Sequence, residues 1–175
     1  MTKNKKFKFF LLSLLIITII FSLFAFKVKL LQLVDFKKDK VIWQQQVKNK
    51  DEFNIEYLHS VAKTPVIEFF EIKDGKILLT GTEYYSYGAG LPTEAKQGEY
   101  ILKDDKFIIK NINQILPEIL LRVSDYAKHE FNFKEQNYKL HKNLKTETLI
   151  EIKIKQISYF RFYKKEVLKW LKKNI

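Results

Sequence analysis

Two ionisable side chains, His59 and Glu68, have the residue types and the spacing to hold or transfer a proton. Each shares the parity of the apolar residues in its own alternating segment, which predicts that both face the core of a sheet. If residues 62–65 form a hairpin loop, His59 lies opposite Glu68 with Cβ atoms about 5 Å apart. Because an unpaired buried carboxylate costs several kcal/mol, the two side chains are expected to pair. The pair either grips a ligand or handles a proton, or it is a structural polar pair that fixes strand register.

Arg122 and His129 are the other polar side chains predicted to serve a binding site. Arg122 is one of two arginines among 32 basic residues, and its guanidinium offers a planar fork for carboxylates that lysine lacks. Its partner could be Glu68, Glu118 or an anionic ligand, and a surface arginine without a function is the alternative. His129 shares the parity of nearby phenylalanines, so a hydrogen-bonded core histidine is the alternative for it.

Several catalytic classes are disfavoured by geometry. Ser60 directly follows His59, and adjacent strand residues point to opposite faces, so they cannot form a nucleophile and its base. Ser86 lacks the glycine-bracketed turn of a nucleophile elbow. The three histidines lack close metal-ligand spacing, and Gly88–Gly90 does not open a helix as phosphate loops do. The sequence therefore predicts no catalytic residue, no metal site and no cofactor.

A loop with a specified backbone is predicted over Tyr84–Pro92. It holds two of the five glycines and one of the three prolines in the chain. Glycine reaches positive φ without strain and proline fixes φ. With His59, Ser60, Glu68, Arg122 and His129, the predicted binding residues include five from this loop: Ser86, Gly88, Gly90, Leu91 and Pro92.

An uncharged apolar run at Phe9–Phe26 predicts a membrane anchor. As a helix its eighteen residues would be about 27 Å long, close to the ~30 Å hydrocarbon core of a bilayer. A cleaved signal peptide is the alternative, but Leu23 occupies a position that should be small. The chain has no cysteine, which excludes lipoprotein processing and disulfides. The predicted domains are a cytoplasmic N-terminus (1–8), the anchor (9–26), a linker (27–40), a β-domain (41–157) and a basic tail (158–175).

The net charge of +12 resides mainly at the two ends. Four lysines precede the apolar run, and residues 161–175 hold six basic residues and one acidic residue. The stretch 27–160 is nearly balanced, with 22 basic and 19 acidic residues, which argues against a nucleic-acid groove. The N-terminal lysines favour a cytoplasmic N-terminus, although lysines also follow the run. We therefore expect a single-pass membrane protein with most of the chain on the periplasmic or extracellular side.

Short alternating segments predict an all-β, antiparallel sandwich or barrel-like domain. Asp74-Gly75 is a hairpin signal between two apolar runs, and Lys103–Lys106 separates two more. The predicted strands include Phe53–His59, Val41–Val47, Ile119–Val123, Ala127–Phe133 and Ile150–Ile154.

The C-terminal segment predicts a short amphipathic helix, because its aromatic and aliphatic residues recur at helical spacing between lysines. Its apolar face either packs on the β-domain or rests on anionic lipid headgroups.

The order of several motifs resembles the family named domain of unknown function 1850. These motifs are His59-Ser60-Val61, Thr64-Pro65-Val66 with Glu68, Ser86–Pro92, and Leu120–Val123 with His129. The resemblance covers roughly Val41–Ile154. It implies a small, anchored or exported bacterial β-domain, commonly encoded beside TRAP transporters of the TAXI type, which take up organic acids. Glu130 stands where the family often has arginine, and the basic tail is an extension.

The resemblance implies an accessory role in such a transport system, and the family supplies no established activity. The leading hypothesis is a non-enzymatic binding component. The expected partners are a transporter subunit, a solute-binding protein or a small carboxylate. The alternatives are an envelope hydrolase that uses His59 and Glu68 as acid and base, and a scaffold protein.

Overall fold

The computed structural model describes residues 3–85, 98–104 and 106–174. Most of them form antiparallel strands, which confirms the predicted all-β domain, and helices flank the domain at both ends of the chain. The helices are α1 (Lys3–Ala25), α2 (Leu140–Asn143) and α3 (Tyr159–Asn174). The strands are β1 (Lys27–Asp35), β2 (Lys40–Val47), β3 (Glu52–Leu58), β4 (Pro65–Lys73), β5 (Lys76–Tyr84), β6 (Glu99–Lys103), β7 (Lys106–Leu116), β8 (Ile119–Arg122), β9 (Glu130–Phe133), β10 (Gln136–Lys139) and β11 (Leu149–Ser158).

The strands form two sheets. One has four strands in the order β2-β1-β11-β8, and the other has seven in the order β10-β9-β3-β4-β5-β7-β6. Aromatic side chains link the inner faces: Trp43 of β2 meets Phe131 and Phe133 of β9 edge-on, with ring centroids 5.1 and 5.6 Å apart. Phe53 stacks on Phe70 within the larger sheet at 4.8 Å. The sandwich core is therefore built from alternate residues of both sheets.

The predicted linker at residues 27–40 is wrong for its first part, because Lys27–Asp35 forms β1. Both neighbours of β1 in the smaller sheet are strands, β2 and β11. Its residues from Leu30 to Asp35 are all buried. A strand buried on both faces reads as a continuous apolar run, so it lacks the alternation by which half-buried strands are recognised.

Hairpin turns were predicted more accurately than strand ends. Asp74 and Gly75 both have positive φ, 50° and 76°, as a type I′ turn requires, and they join β4 to β5. Lys103 pairs with Lys106 at the β6–β7 turn. The predicted strand at 127–133 begins only at Glu130, since the residues before it form a turn.

The chain divides into two compact units, of which residues 31–155 form one and residues 1–30 with 156–175 form the other. In the second unit, the stretch Lys5–Ala25 of α1 has a mean hydropathy of 2.5 and is unburied. It is long and apolar enough, by length and composition, to cross a membrane.

Phe24 of α1 stacks on Phe160 of α3 with centroids 4.8 Å apart. The side chains of Tyr163, Val167 and Trp170 on α3 are exposed.

Candidate ligand-binding site

The turn after β3 and the segment after β8 meet at one end of the larger sheet. The amide of Leu58 donates to the carbonyl of Ala127 at 2.7 Å. The Tyr126 hydroxyl donates to the carbonyl of Ser60 at 3.2 Å. These two hydrogen bonds bring together two of the segments in which the sequence placed its candidate residues.

His59 and Glu68 are not paired, and the predicted register is wrong. The amide of His59 donates to the carbonyl of Thr64 at 2.9 Å, whereas Glu68 lies opposite Ile55. At about 3.3 Å per residue, the four residue steps from Thr64 to Glu68 span roughly 13 Å of strand. His59 and Glu68 therefore cannot act as one acid–base pair.

The local turn chemistry explains the shift in register. Pro65 is the first residue of β4 and pairs with Leu58, a position where the missing proline N–H is tolerated. Lys63 adopts φ 56°, which closes the turn. The Nδ1 atom of His59 accepts from the amides of Val61 and Ala62 at 3.3 and 3.1 Å. In this arrangement the His59 imidazole serves to cap the β3–β4 turn.

Glu68 lies on the inner face of the larger sheet, between Ile55 of β3 and Thr82 of β5. Its Oε1 atom accepts from the Tyr57 hydroxyl at 3.5 Å, a long hydrogen bond. Burial raises the pKa of the Glu68 carboxyl, and the Tyr57 hydrogen bond only partly opposes this. Burial, followed by the charge of Glu68, raises the pKa of Tyr57. Burial thus shifts the carboxyl toward its neutral form, and that form can donate a proton in a hydrogen bond.

His129 is buried beside the same tyrosine. Its ring centroid is 5.5 Å from that of Tyr57, and its Nδ1 atom accepts from the Ser124 amide at 3.3 Å. Burial, with a smaller effect from His141, lowers the pKa of the His129 imidazole. Since Nδ1 accepts, the proton of the neutral ring lies on Nε2. Glu68, Tyr57 and His129 therefore form a row of polar side chains, called the interior polar row below.

In the ion pairs of the described residues, Arg122 is paired with neither Glu68 nor Glu118. Its guanidinium lies 3.8 Å from the Glu147 carboxylate and donates to the carbonyl of Glu147 at 3.4 Å. Both side chains are exposed, so the pair is screened by water and contributes little to stability. This geometry favours the interpretation of Arg122 as a surface arginine.

The loop residues of the predicted site, Ser86, Gly88, Gly90, Leu91 and Pro92, lie outside the described residues. On the described side, Tyr84 is buried and stacks on Phe107 with centroids 5.4 Å apart. Tyr85 is exposed, and the Lys106 ammonium lies 5.2 Å from its ring centroid.

Sequence reasoning missed Tyr57 and Ser124 as partners of the candidate residues. Tyr57 has the inward parity of Ile55, so the alternation that singled out His59 also contained it. In the part of the chain that the structure describes, no group of three or more His, Cys, Asp or Glu side chains could hold a metal ion.

The outer face of the larger sheet carries a groove of about 890 Å³. Asn54, Asn132 and Phe69 line it, and the Asn132 amide donates to Asn54 Oδ1 at 2.8 Å. The β4–β5 and β5–β7 pairings each contain an irregularity at this place, and bulges bend a sheet locally. Because Tyr57, Glu68 and His129 are not among its lining residues, the groove is separate from the interior polar row.

Comparison with known proteins gives one result. A family model described as "Domain of unknown function (DUF1850)" matches residues 53–140, half of the chain. The matched range includes every residue of the candidate site. No curated protein and no solved structure matches the sequence.

Proposed function

The chain belongs to the DUF1850 family, and from this premise we propose that it is a membrane-anchored, non-enzymatic binding protein. In this proposal α1 spans the cell membrane and the β-domain lies on the periplasmic or extracellular side. The domain binds a small carboxylate and serves as an accessory component of a TAXI-type TRAP transport system, in contact with a transporter subunit or a solute-binding protein.

The length and apolarity of α1 support the anchor. Its 21-residue apolar stretch Lys5–Ala25 is unburied, and a helix of that length is about 32 Å long, enough to cross the hydrocarbon core. The lysines before it favour a cytoplasmic N-terminus.

The observation that carries the binding function is the inward-facing carboxyl of Glu68 beside the Tyr57 hydroxyl. A carboxyl on the core face of a sheet is costly, so a functional requirement is a reason for it to be there. Because burial favours the neutral acid, Glu68 can donate its proton to a carboxylate oxygen, and such charge-assisted hydrogen bonds are short and strong.

The same geometry weakens the hydrolase alternative. The acid and base of that hypothesis were His59 and Glu68, which lie on different rows of the hairpin. The Nδ1 atom of His59 is also occupied by two backbone amides. The scaffold alternative predicts that no organic acid raises the melting temperature.

Two measurements test the proposal. The full chain in detergent is screened by thermal shift against acetate, succinate and benzoate, and at least one is expected to raise Tm in a saturable manner. Crosslinked membranes from cells taking up organic acids are then purified through this protein, and a TRAP component is expected among the captured proteins. Stabilisation without capture would retain the binding function and remove the transport partner, and failure of both would overturn the proposal.

A further inference from the structure

The helix α3 presents an exposed face of aromatic and aliphatic side chains. The exposed fractions are 55% for Tyr163, 53% for Val167 and 63% for Trp170. At 100° per residue these three, with Phe160 and Leu171, fall within an arc of about 100°. Soluble helices bury such an arc in a core, so its exposure needs a surface that covers it.

Basic side chains flank this arc on α3. Arg161, Lys164 and Lys165 lie in its first two turns and are exposed, and the segment 161–175 has six basic residues against one acidic residue. A surface that meets both the apolar arc and its basic flanks must be apolar inside and negatively charged at its rim. The headgroup region of a bilayer that contains anionic lipids has this chemistry.

The start of α3 is fixed beside the end of the apolar helix. The amide of Tyr159 donates to the carbonyl of Phe26 at 3.0 Å, and Phe160 stacks on Phe24. Phe162, on the other side of α3, packs against the buried cluster of Val28, Leu30 and Ile157. Since α1 ends at Ala25, the first turn of α3 lies at the level where the spanning helix leaves the hydrocarbon.

We propose that α3 lies in the interface of the membrane that α1 spans, with its apolar arc inserted among the lipids and its lysines at anionic headgroups. The occupant of the exposed face is thus an anionic lipid surface. The proposal rests on the anchoring of α1 proposed above, and it is independent of any ligand of the β-domain. Trp170 and Tyr163 are residue types enriched at membrane interfaces, where an apolar ring and a polar tip are both satisfied.

Single spin labels test this on the full chain, which has no cysteine of its own. Val167→Cys places a label on the apolar arc, and Lys165→Cys places the matched control on the basic side of the same helix. The chain is reconstituted in phosphatidylcholine vesicles that contain about one-quarter phosphatidylglycerol. The Val167 label is expected to favour collision with oxygen over a water-soluble nickel complex several-fold more than the Lys165 label.

Charge dependence is tested by adding Lys164→Glu to the Val167→Cys chain. In the anionic vesicles, this charge reversal is expected to lower the oxygen preference at Val167. The Val167→Cys chain without the charge reversal is expected to show a smaller oxygen preference in pure phosphatidylcholine than in the anionic vesicles. The exposed Leu102 on β6 provides a control, because Leu102→Glu should leave the accessibility at Val167 unchanged.

A third label at Ile16→Cys, within α1, separates failure of the anchor from failure of α3. If Ile16 is buried in lipid while Val167 is freely accessible to the nickel complex, α1 spans and the proposal for α3 is overturned. If Val167 is shielded from both reagents, a second copy or another protein surface covers the arc, which also overturns it. If Val167 alone contacts lipid, α3 binds the membrane and the anchor is refuted.

Discussion

Replacing Glu68 with glutamine should stabilise the protein near neutral pH and have little effect in acid. Burial raises the pKa of Glu68 above its ordinary value of 4.5, so the folded chain holds this proton at pH values where the unfolded chain has released it. Stability is therefore lost as pH rises from about 4.5 through the pKa of the folded state. Glutamine removes this loss, and its carbonyl still accepts from the Tyr57 hydroxyl.

The magnitude follows from the linkage between pKa and stability. Each unit by which the folded pKa exceeds the unfolded pKa costs about 1.4 kcal/mol at high pH. For a chain of this length, that free energy corresponds to about 3–6 °C in Tm. Below about pH 4 both states are protonated and the difference between wild type and Glu68→Gln should nearly vanish.

The assay is thermal unfolding of the full chain in detergent, followed by the circular dichroism of the sheets, at about pH 4 and about pH 7. The wild-type-minus-variant difference cancels other titrating groups, such as His129. The control is Glu52→Gln on β3, whose side chain is exposed, and it should shift Tm little at either pH. An equal shift for Glu68→Gln at both pH values, or a loss of stability near neutral pH, would refute the reasoning.

Three further predictions concern the strands and the surface. A chain beginning at Val41 should fail to fold because it lacks β1, whereas one beginning at Lys27 retains every strand and should show a cooperative melt. Arg122→Lys should change stability by less than about 1 kcal/mol and leave carboxylate affinity unaltered, since its ion pair is exposed. A large loss of binding in calorimetry would show that Arg122 contributes to the binding site. Gly81→Ala should cost about 1–3 kcal/mol in thermal unfolding, because its Cβ would lie 2.8 Å from the carbonyl oxygen of Ile109; an unchanged Tm would contradict the close approach of β5 and β7.

The sequence predicted the fold wherever turn chemistry or alternation is local. Asp74-Gly75 specifies its hairpin through positive φ at both residues, and Ile150–Ile154 alternates within the region that becomes β11. The strand β1 was not predicted because its burial on both faces removes the alternation, and because it follows the apolar helix almost directly. Its identity depends on two partner strands that are distant in sequence.

For the candidate site, the sequence predicted which side chains face the core but not which of them contact each other. Inward parity correctly placed Glu68 and His129 on the core side. The partner of Glu68 depends on register, and register depends on whether Pro65 belongs to the loop or to the strand. Because Pro65 opens β4, the pairing moves by four residues and Ile55 lies opposite Glu68, where His59 was expected. The hydrogen-bond partner of Glu68 is instead the Tyr57 hydroxyl.

Carboxylate binding as a function of pH tests the central claim, that Glu68 is a protonated donor in a ligand site, most directly. Affinity of the full chain for the best acid of the thermal-shift screen is measured by calorimetry between about pH 5 and pH 8. Wild-type affinity is expected to fall as pH rises through the raised pKa of Glu68, whereas Glu68→Gln, whose amide donates at every pH, should bind without this dependence. The same pH dependence in both proteins, or no binding by either, would contradict the account.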